Sequence, residues 1–235
     1  MKHCIISGAN RGVGLALVSH YLAEGNWHVH ACCRQPEKAD ALRALVPANL
    51  GRITLHTLDV TDQASVDALA EALAKTLDGQ PVDLLINNAG IKGSKHQSRD
   101  DMDYDAWAET FAVNAMAPLR VTEALLPQLK AADGAKIATI SSQMGAICNE
   151  GTGQYAYRSS KAAVNKVMSI LAQEVAADGL ICILLHPGWV KTDMGGPYAQ
   201  ITPAESAAGI AATIEKATQA DNGGFFKWNG EPHGW

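Results

Sequence analysis

The chain has 235 residues, of which 47% are hydrophobic and 18% are charged, with a formal net charge of -5 and a pI near 5.9. This length suits one well-buried α/β domain, 1–235, and the acidic balance gives no basic footprint for nucleic acid or an anionic membrane. No apolar run is long enough for a signal-peptide core or a membrane span, so we expect a cytoplasmic protein with neither of those partners.

Short apolar runs rich in β-branched residues alternate with helical patterns along the chain. Because continuously apolar strands suit a parallel sheet covered on both faces, the alternation predicts a Rossmann-type doubly wound α/β fold. We expect one seven-stranded parallel sheet with helices on both faces. The predicted strands are 4–7, 27–33, 53–58, 84–87, 136–141, 181–186 and 225–228. The predicted helices are 12–23, 37–45, 65–77, 106–130, 157–177 and 204–218, and Asp62, Asp103 and Thr202 are start signals.

The first predicted strand leads directly into a glycine-rich segment and then into a helix. This arrangement directs free backbone N–H groups and a helix N-terminus at a pyrophosphate, so a dinucleotide is the expected ligand. The glycine spacing differs from G-x-G-x-x-G, and the Lys-Ser/Thr of a P-loop is absent. A turn that serves packing alone is the alternative. The residues expected to contact the dinucleotide here are Gly8, Asn10, Arg11, Gly12, Val13 and Gly14.

The end of the second strand indicates which dinucleotide is bound. An NAD enzyme places an acid there for the ribose 2′-hydroxyl, whereas this chain has Cys33 and Arg34, with Arg11 available from the glycine loop. Two cations and no acid favour a 2′-phosphate, so we expect NADP(H) rather than NAD(H). A solvated surface role for Arg34 is the alternative.

Tyr157 and Lys161 stand four residues apart in one predicted helix, so their side chains share a face. A neighbouring ammonium stabilises a phenolate and lowers the pKa of a tyrosine from ~10 toward neutrality. Such a tyrosine could exchange a proton with a substrate. This spacing also arises on helices by chance, so its meaning depends on a cofactor and a second donor nearby.

The positions of the histidines, aspartates and cysteines do not match a known metal-binding motif. The eight histidines form no HExxH or Cys-His cluster, so no metal is expected. Asp101, Asp103 and Asp105 alternate like early EF-hand ligands, but the glycine and glutamate of that loop are missing, which favours helix capping. Five cysteines without a CxxC indicate reduced, mostly buried thiols.

Several short motifs follow one another over almost the whole chain. They are Gly8-x-x-x-Gly12-x-Gly14, Asp59-Val60, Asn87-Asn88-Ala89-Gly90, Asn114, Ser141-Ser142, Tyr157-x-x-x-Lys161 and Pro187-Gly188-x-Val190-x-Thr192. Their types and their order resemble the short-chain dehydrogenase/reductase family. The likeness is closest to its C-factor and sniffer-type carbonyl reductase branch.

The resemblance implies a role for each motif. Tyr157 would protonate a carbonyl oxygen as hydride arrives, and Ser142 would hydrogen-bond that oxygen. Lys161 would lower the pKa of the tyrosine and hold ribose hydroxyls, and Asn114 would tie Lys161 to a water relay. Beyond the glycine loop and Arg34, the implied cofactor contacts are Asp59, Val60, Asn88, Ala89, Gly90, Tyr157, Lys161, Pro187, Gly188, Val190 and Thr192.

The two central assignments each have an alternative. Tyr155 is a second tyrosine, but its position four residues on is Ser159, so only Tyr157 has the lysine. Ser142 precedes Tyr157 by fifteen residues where the family usually has about thirteen, which implies a two-residue insertion in loop 144–154. Ser141 is the alternative serine.

The function implied by the resemblance is the NADPH-dependent reduction of an aldehyde or ketone to an alcohol, or the reverse. Loops at the carboxyl ends of the strands supply an expected pocket for a small apolar substrate, although some of these residues could serve only the short lid 192–201. The residues concerned are Met144, Cys148, Trp189, Met194 and Tyr198. The alternative is a dinucleotide-binding signalling or regulatory protein of C-factor type. The likeness also implies a homodimer or tetramer formed through helices 106–130 and 157–177.

Overall fold

A seven-stranded sheet, with every strand parallel, forms the centre of the computed structural model, which describes residues 1–235. Its strands are β1 Lys2–Ser7, β2 Trp27–Cys33, β3 Ile53–Thr57, β4 Leu84–Asn87, β7 Lys136–Ile140, β8 Ile181–His186 and β9 Phe225–Lys227. A separate hairpin, which the sequence did not indicate, consists of β5 Gln97–Ser98 and β6 Asp101–Met102. The strand order in the sheet is β3-β2-β1-β4-β7-β8-β9, and the chain reverses direction across the sheet between β1 and β4. This confirms the predicted doubly wound α/β fold.

The helices alternate with the strands of the sheet, as predicted. They are α1 Gly12–Glu24, α2 Asp40–Arg43, α3 Gln63–Leu77, α4 Tyr104–Phe111, α5 Ala117–Lys130, α6 Tyr155–Glu174 and α7 Pro203–Lys216. The three expected start signals all act as N-caps: Asp62 accepts from Ala64 N, Asp103 from Ala106 N, and Thr202 forms a capping box with its partner three residues on. α1 and α7 cover one face of the sheet and α3, α5 and α6 the other, which explains the continuously apolar strands.

Two predicted helices differ in the structure. The segment 37–45 is a 3₁₀ turn, Pro36–Lys38, followed by the short α2, because Ala39 leaves helical geometry at ψ 71°. The predicted helix 106–130 is interrupted by a π-helical turn, Ala112–Met116, between α4 and α5. Pro118 at the start of α5 lacks the N–H that a continuous α-helical ladder would need at that point. The π turn carries Asn114.

Four histidines form an unpredicted stack across β1, β2 and β3. His3 Nδ1 lies 3.1 Å from His30 Nε2, and His30 Nδ1 lies 3.1 Å from His56 Nε2. His28 stacks on His30 with ring centroids 4.7 Å apart. Burial, followed by the neighbouring imidazoles, lowers the pKa of His30 to about 2, so this ring is neutral in the folded protein.

No helix in the structure combines the length and the apolar character that crossing a bilayer requires.

Candidate active site

A cleft of about 1930 Å³ opens at the carboxyl ends of the parallel strands, where doubly wound sheets bind ligands. Every residue expected to contact the dinucleotide lines this cleft, together with Ser142. The loops after β1, β2, β3, β4, β7 and β8 therefore bring the predicted motifs to one place, although they lie far apart in sequence. Asn114 stands behind the cleft wall rather than in it.

The glycine loop is shaped by close backbone approach. A Cβ on Gly14 would lie 2.2 Å from Gly8 O, and one on Gly8, whose φ is 64°, would lie 2.8 Å from Ala89 Cα. Asn88, which follows the neighbouring strand β4, holds the glycine loop in place. Its Nδ2 donates to the carbonyls of Ser7 and Gly8 at 3.0 Å each. The result is a bare backbone cradle at the N-terminus of α1, which fits a pyrophosphate.

The two arginines expected near a 2′-phosphate differ in their surroundings. Arg34 follows β2, is exposed in the cleft and takes part in no ion pair. Arg11 instead forms an ion pair with Asp193 of the lid, Nη1 to Oδ2 at 3.1 Å. Arg11 is expected from the sequence to be available to the 2′-phosphate, and nothing in the local sequence indicates its pair with Asp193, 182 residues away.

The loop after β3 is held in shape by its own residues and by α5. The Asp59 carboxylate accepts from Thr61 N at 2.9 Å and from Thr61 Oγ1 at 2.7 Å, and these bonds, more than Arg34, lower the pKa of Asp59. Arg120 donates from Nη1 to Val60 O at 3.1 Å. Arg120 is therefore a supporting residue of the cleft that sequence reasoning missed.

Tyr157 lies in the first turn of α6 beside Ser142. Burial raises the pKa of the Tyr157 phenol, and the nearby Ser142 side chain partly opposes that rise. Ser141 also lines the cleft, but its hydroxyl is engaged by α6, because its Oγ donates to Asn165 Oδ1 at 2.5 Å. Of the two candidate serines, Ser142 is the one next to the phenol.

Lys161 is almost fully buried below the tyrosine, with 5% of its surface exposed. Its Nζ donates to Ile140 O at 2.8 Å and lies 5.9 Å from the centre of the Tyr157 ring. Burial lowers the pKa of Lys161 to about 8. We expected Lys161 to lower the pKa of Tyr157. The pKa of Tyr157 is instead raised, because removal of the phenol from water is the dominant effect.

Asn114 acts as a clamp between two parts of the site. Its Nδ2 donates to Ile91 O at 2.8 Å, its Oδ1 accepts from Ile91 N at 2.9 Å, and Nδ2 also reaches Ser160 Oγ at 3.0 Å. The π turn thereby fixes the loop after β4 against α6. The expected water relay to Lys161 stays a prediction.

The loop between Ser142 and Tyr157 contributes its two ends, Gln143, Met144 and Gln154, to the cleft lining, and its middle part lies outside that lining. Gly145 packs directly on α6, where a Cβ would lie 2.5 Å from the Lys161 carbonyl carbon, whereas Ile147 is 85% exposed. Arg158 Nη2 donates to Asn149 O at 2.8 Å, and Cys148 N donates to Trp235 O at 3.0 Å. The two-residue insertion that the resemblance implies in this loop stays a prediction.

The N-terminus of α6 is capped from a distance. Tyr157 N donates to Gln97 Oε1 at 3.0 Å, and Gln97 Nε2 donates to Lys92 O at 3.0 Å and to Ser94 O at 2.6 Å. The helix begins at Tyr155, two residues earlier than predicted. No local sequence signal points to Gln97, since cap and helix are 60 residues apart.

The expected apolar pocket is present in part. Met144, Trp189 and Met194 line the cleft, whereas Cys148 and Tyr198 do not. Tyr198 is 86% exposed on the outside of the lid. The lid itself is braced, because Trp189 Nε1 donates to Gly195 O at 2.7 Å. No group of three or more His, Cys, Asp or Glu side chains is arranged to hold a metal ion.

Comparison with known proteins identifies relatives of this chain. The family model described as short chain dehydrogenase matches residues 2–201. C-signal from Myxococcus xanthus is 41% identical over 165 residues, which cover 70% of this chain and 99% of that protein.

Solved structures resemble the whole chain. The NADPH-bound carbonyl reductase from chicken fatty liver superposes with a TM-score of 0.94 at 35% identity, covering 100% of this chain and 99% of that one. The carbonyl reductase Sniffer of D. melanogaster also reaches a TM-score of 0.94, at 34% identity, with 100% of both chains covered.

Proposed function

Because this chain belongs to the short-chain dehydrogenase family, we propose that it is an NADPH-dependent carbonyl reductase, which converts an aldehyde or ketone to an alcohol. The observation that carries this proposal is that Ser142, Tyr157 and Lys161 line one cleft together with the glycine loop, with Lys161 Nζ 5.9 Å from the centre of the Tyr157 ring. A proton donor and a hydrogen-bond donor meet where a dinucleotide would end.

In this mechanism NADPH, when bound, supplies the hydride. Ser142 donates a hydrogen bond to the substrate carbonyl oxygen and positions it beside Tyr157 Oη, which gives up its proton to that oxygen. The raised pKa of Tyr157 suits this direction, because the phenol stays protonated at neutral pH. Lys161 stabilises the phenolate that remains, and Asn114 keeps the surrounding wall in place.

NADP(H) is the proposed cofactor, with the residues of the cleft holding its parts. The glycine loop takes the pyrophosphate, Arg34 the 2′-phosphate, and Asp59 with Val60 the adenine. Asn88, Ala89 and Gly90 contact the ribose side, and the segment Pro187 to Thr192 contacts the carboxamide. Support comes from the bare glycine cradle, from the unpaired Arg34 and from the NADPH-bound relative.

Arg34→Asp is expected to shift cofactor preference from NADP(H) toward NAD(H) by about 10²-fold, since one charge-assisted phosphate contact is lost and an acid is gained for the ribose hydroxyl. The measurement is the ratio of kcat/KM for NADPH and NADH. Arg99→Asp is the matched control, because Arg99 is exposed and pairs only with its neighbour Asp100. An unaltered ratio in Arg34→Asp would remove this arginine from the cofactor site.

The activity is tested by measuring the loss of NADPH absorbance in the presence of each member of a panel of small aldehydes and ketones. The second candidate function, a dinucleotide-binding signalling protein, is favoured by the 41% identity to C-signal. Nucleotide binding without turnover of any carbonyl in the panel would favour that second function. Turnover that depends on Tyr157 would favour the reductase.

We further propose that the chain assembles as a homodimer or tetramer through the helical face formed by α4, α5 and α6. Met116 and Ile170 are apolar side chains exposed on this face, at 55% and 44%. Sedimentation analysis of Met116→Glu/Ile170→Glu against the wild type tests the proposal. A wild type that sediments as a monomer at micromolar concentration contradicts it.

A further inference from the structure

Gln154 has an unusual backbone for its position. It is the N-cap of α6, yet it has φ 51° and ψ 42°, in the left-handed region, whereas N-caps are ordinarily extended. The other non-glycine residue with positive φ, Asp78, ends α3, where the left-handed conformation is common. A non-glycine residue strained in this way beside an active site suggests a function that requires its side chain.

The Gln154 side chain has no structural task at the helix start. It makes no capping hydrogen bond, and the acceptor that α6 needs is supplied by Gln97 instead. Its Oε1 is buried and has no hydrogen-bond partner in the protein. A buried polar atom without a partner costs free energy, so its retention calls for an explanation.

Gln154 lines the same cleft as Tyr157. The lining of this cleft includes the apolar residues Met144, Trp189 and Met194, and Gln154 adds an amide to it. Its terminal torsion is broad and roughly two-fold, so a turn of the amide brings either end toward a ligand.

We propose that Gln154 determines substrate specificity by hydrogen-bonding a hydroxyl group next to the carbonyl that is reduced. A hydroxyl both donates and accepts, and it therefore matches either end of an amide. The substrate class is thus a hydroxyketone or hydroxyaldehyde rather than a simple ketone. This inference rests on the proposed reductase function, and it specifies the substrate of that same site.

The test compares hydroxyacetone with butanone, two ketones of equal heavy-atom number that differ by one hydroxyl. In Gln154→Met, a near-isosteric change, kcat/KM for hydroxyacetone is expected to fall by about 10-fold, the value of one lost hydrogen bond in a site built for it. The value for butanone should stay within about 2-fold. Gln173→Met, on the exposed distal part of α6, is the matched control and should leave both values unchanged.

Gln154→Gly separates the side chain from the backbone. Glycine accepts the left-handed conformation without strain, so this variant should fold at least as stably and should show the same selective loss with hydroxyacetone. Equal effects on both ketones, or no effect, would overturn the role of Gln154. A wild type whose kcat/KM is no higher for hydroxyacetone than for butanone would also overturn it. Inactivity with every carbonyl would instead refute the reductase function.

Discussion

Tyr157→Phe is expected to lower kcat by about 10²–10⁴-fold while leaving the affinity for NADPH nearly unchanged. The ring near Lys161 is retained, and only the hydroxyl that we propose as the proton donor is removed. Steady-state reduction of an active carbonyl gives kcat, and quenching of tryptophan fluorescence on titration with NADPH gives the affinity. The loss should appear in kcat and kcat/KM together, because the missing interaction forms in the transition state.

Tyr155→Phe provides the matched control for this experiment. Tyr155 is on the same helix two residues earlier, is 44% exposed and lies outside the cleft. Its replacement should leave turnover unchanged. If Tyr157→Phe retained full turnover, or if Tyr155→Phe lost it equally, the assignment of Tyr157 as the acid would be wrong.

Acidification should destabilise the protein through the histidine stack. The unfolded chain protonates His30 near its ordinary value of 6.5, whereas the folded protein resists protonation down to a pKa of about 2. Unfolding is therefore coupled to proton uptake between those values. This group does not lower the free energy of unfolding above pH 6.5. As the pH falls from 6.5 toward 2, it lowers the free energy of unfolding by about 1.4 kcal/mol per pH unit.

Urea unfolding at a series of pH values from about 7 to about 5 measures this slope. His28 and His56 also have a lowered pKa, mainly through burial, and should steepen it. His30→Gln should be less stable at neutral pH but should show a shallower dependence on pH. His20→Gln, at a half-exposed site on α1, is the control, and an identical slope in His30→Gln and the wild type would exclude the stack as the source.

The sequence predicted what depends on local patterns. Continuous apolar runs gave the strands of the sheet, and the glycine spacing and the Tyr157–Lys161 spacing gave the two halves of the cleft. Because parallel strands all end at one edge, motifs predicted one at a time had to meet there, and their positions along the cleft follow from the strand order.

What escaped prediction depends on pairs of distant residues and on burial. The Arg11–Asp193 ion pair, the Gln97 cap and the Arg120 support each join segments far apart in the chain. The direction of the Tyr157 pKa was missed for a different reason. A helical spacing reports that a lysine is near, but it does not report how completely the phenol is removed from water, and that desolvation decides the sign.

The remote cap of α6 has a consequence for exchanging loops between related enzymes. Gln97 fixes the first turn of α6, which carries Tyr157, while Asn114 hydrogen-bonds Ile91 at the start of the same loop. The segment from Ile91 to Met102 therefore positions the start of α6. A graft that replaced this segment, but lacked a side-chain acceptor at position 97, would displace Tyr157 along with the cleft wall.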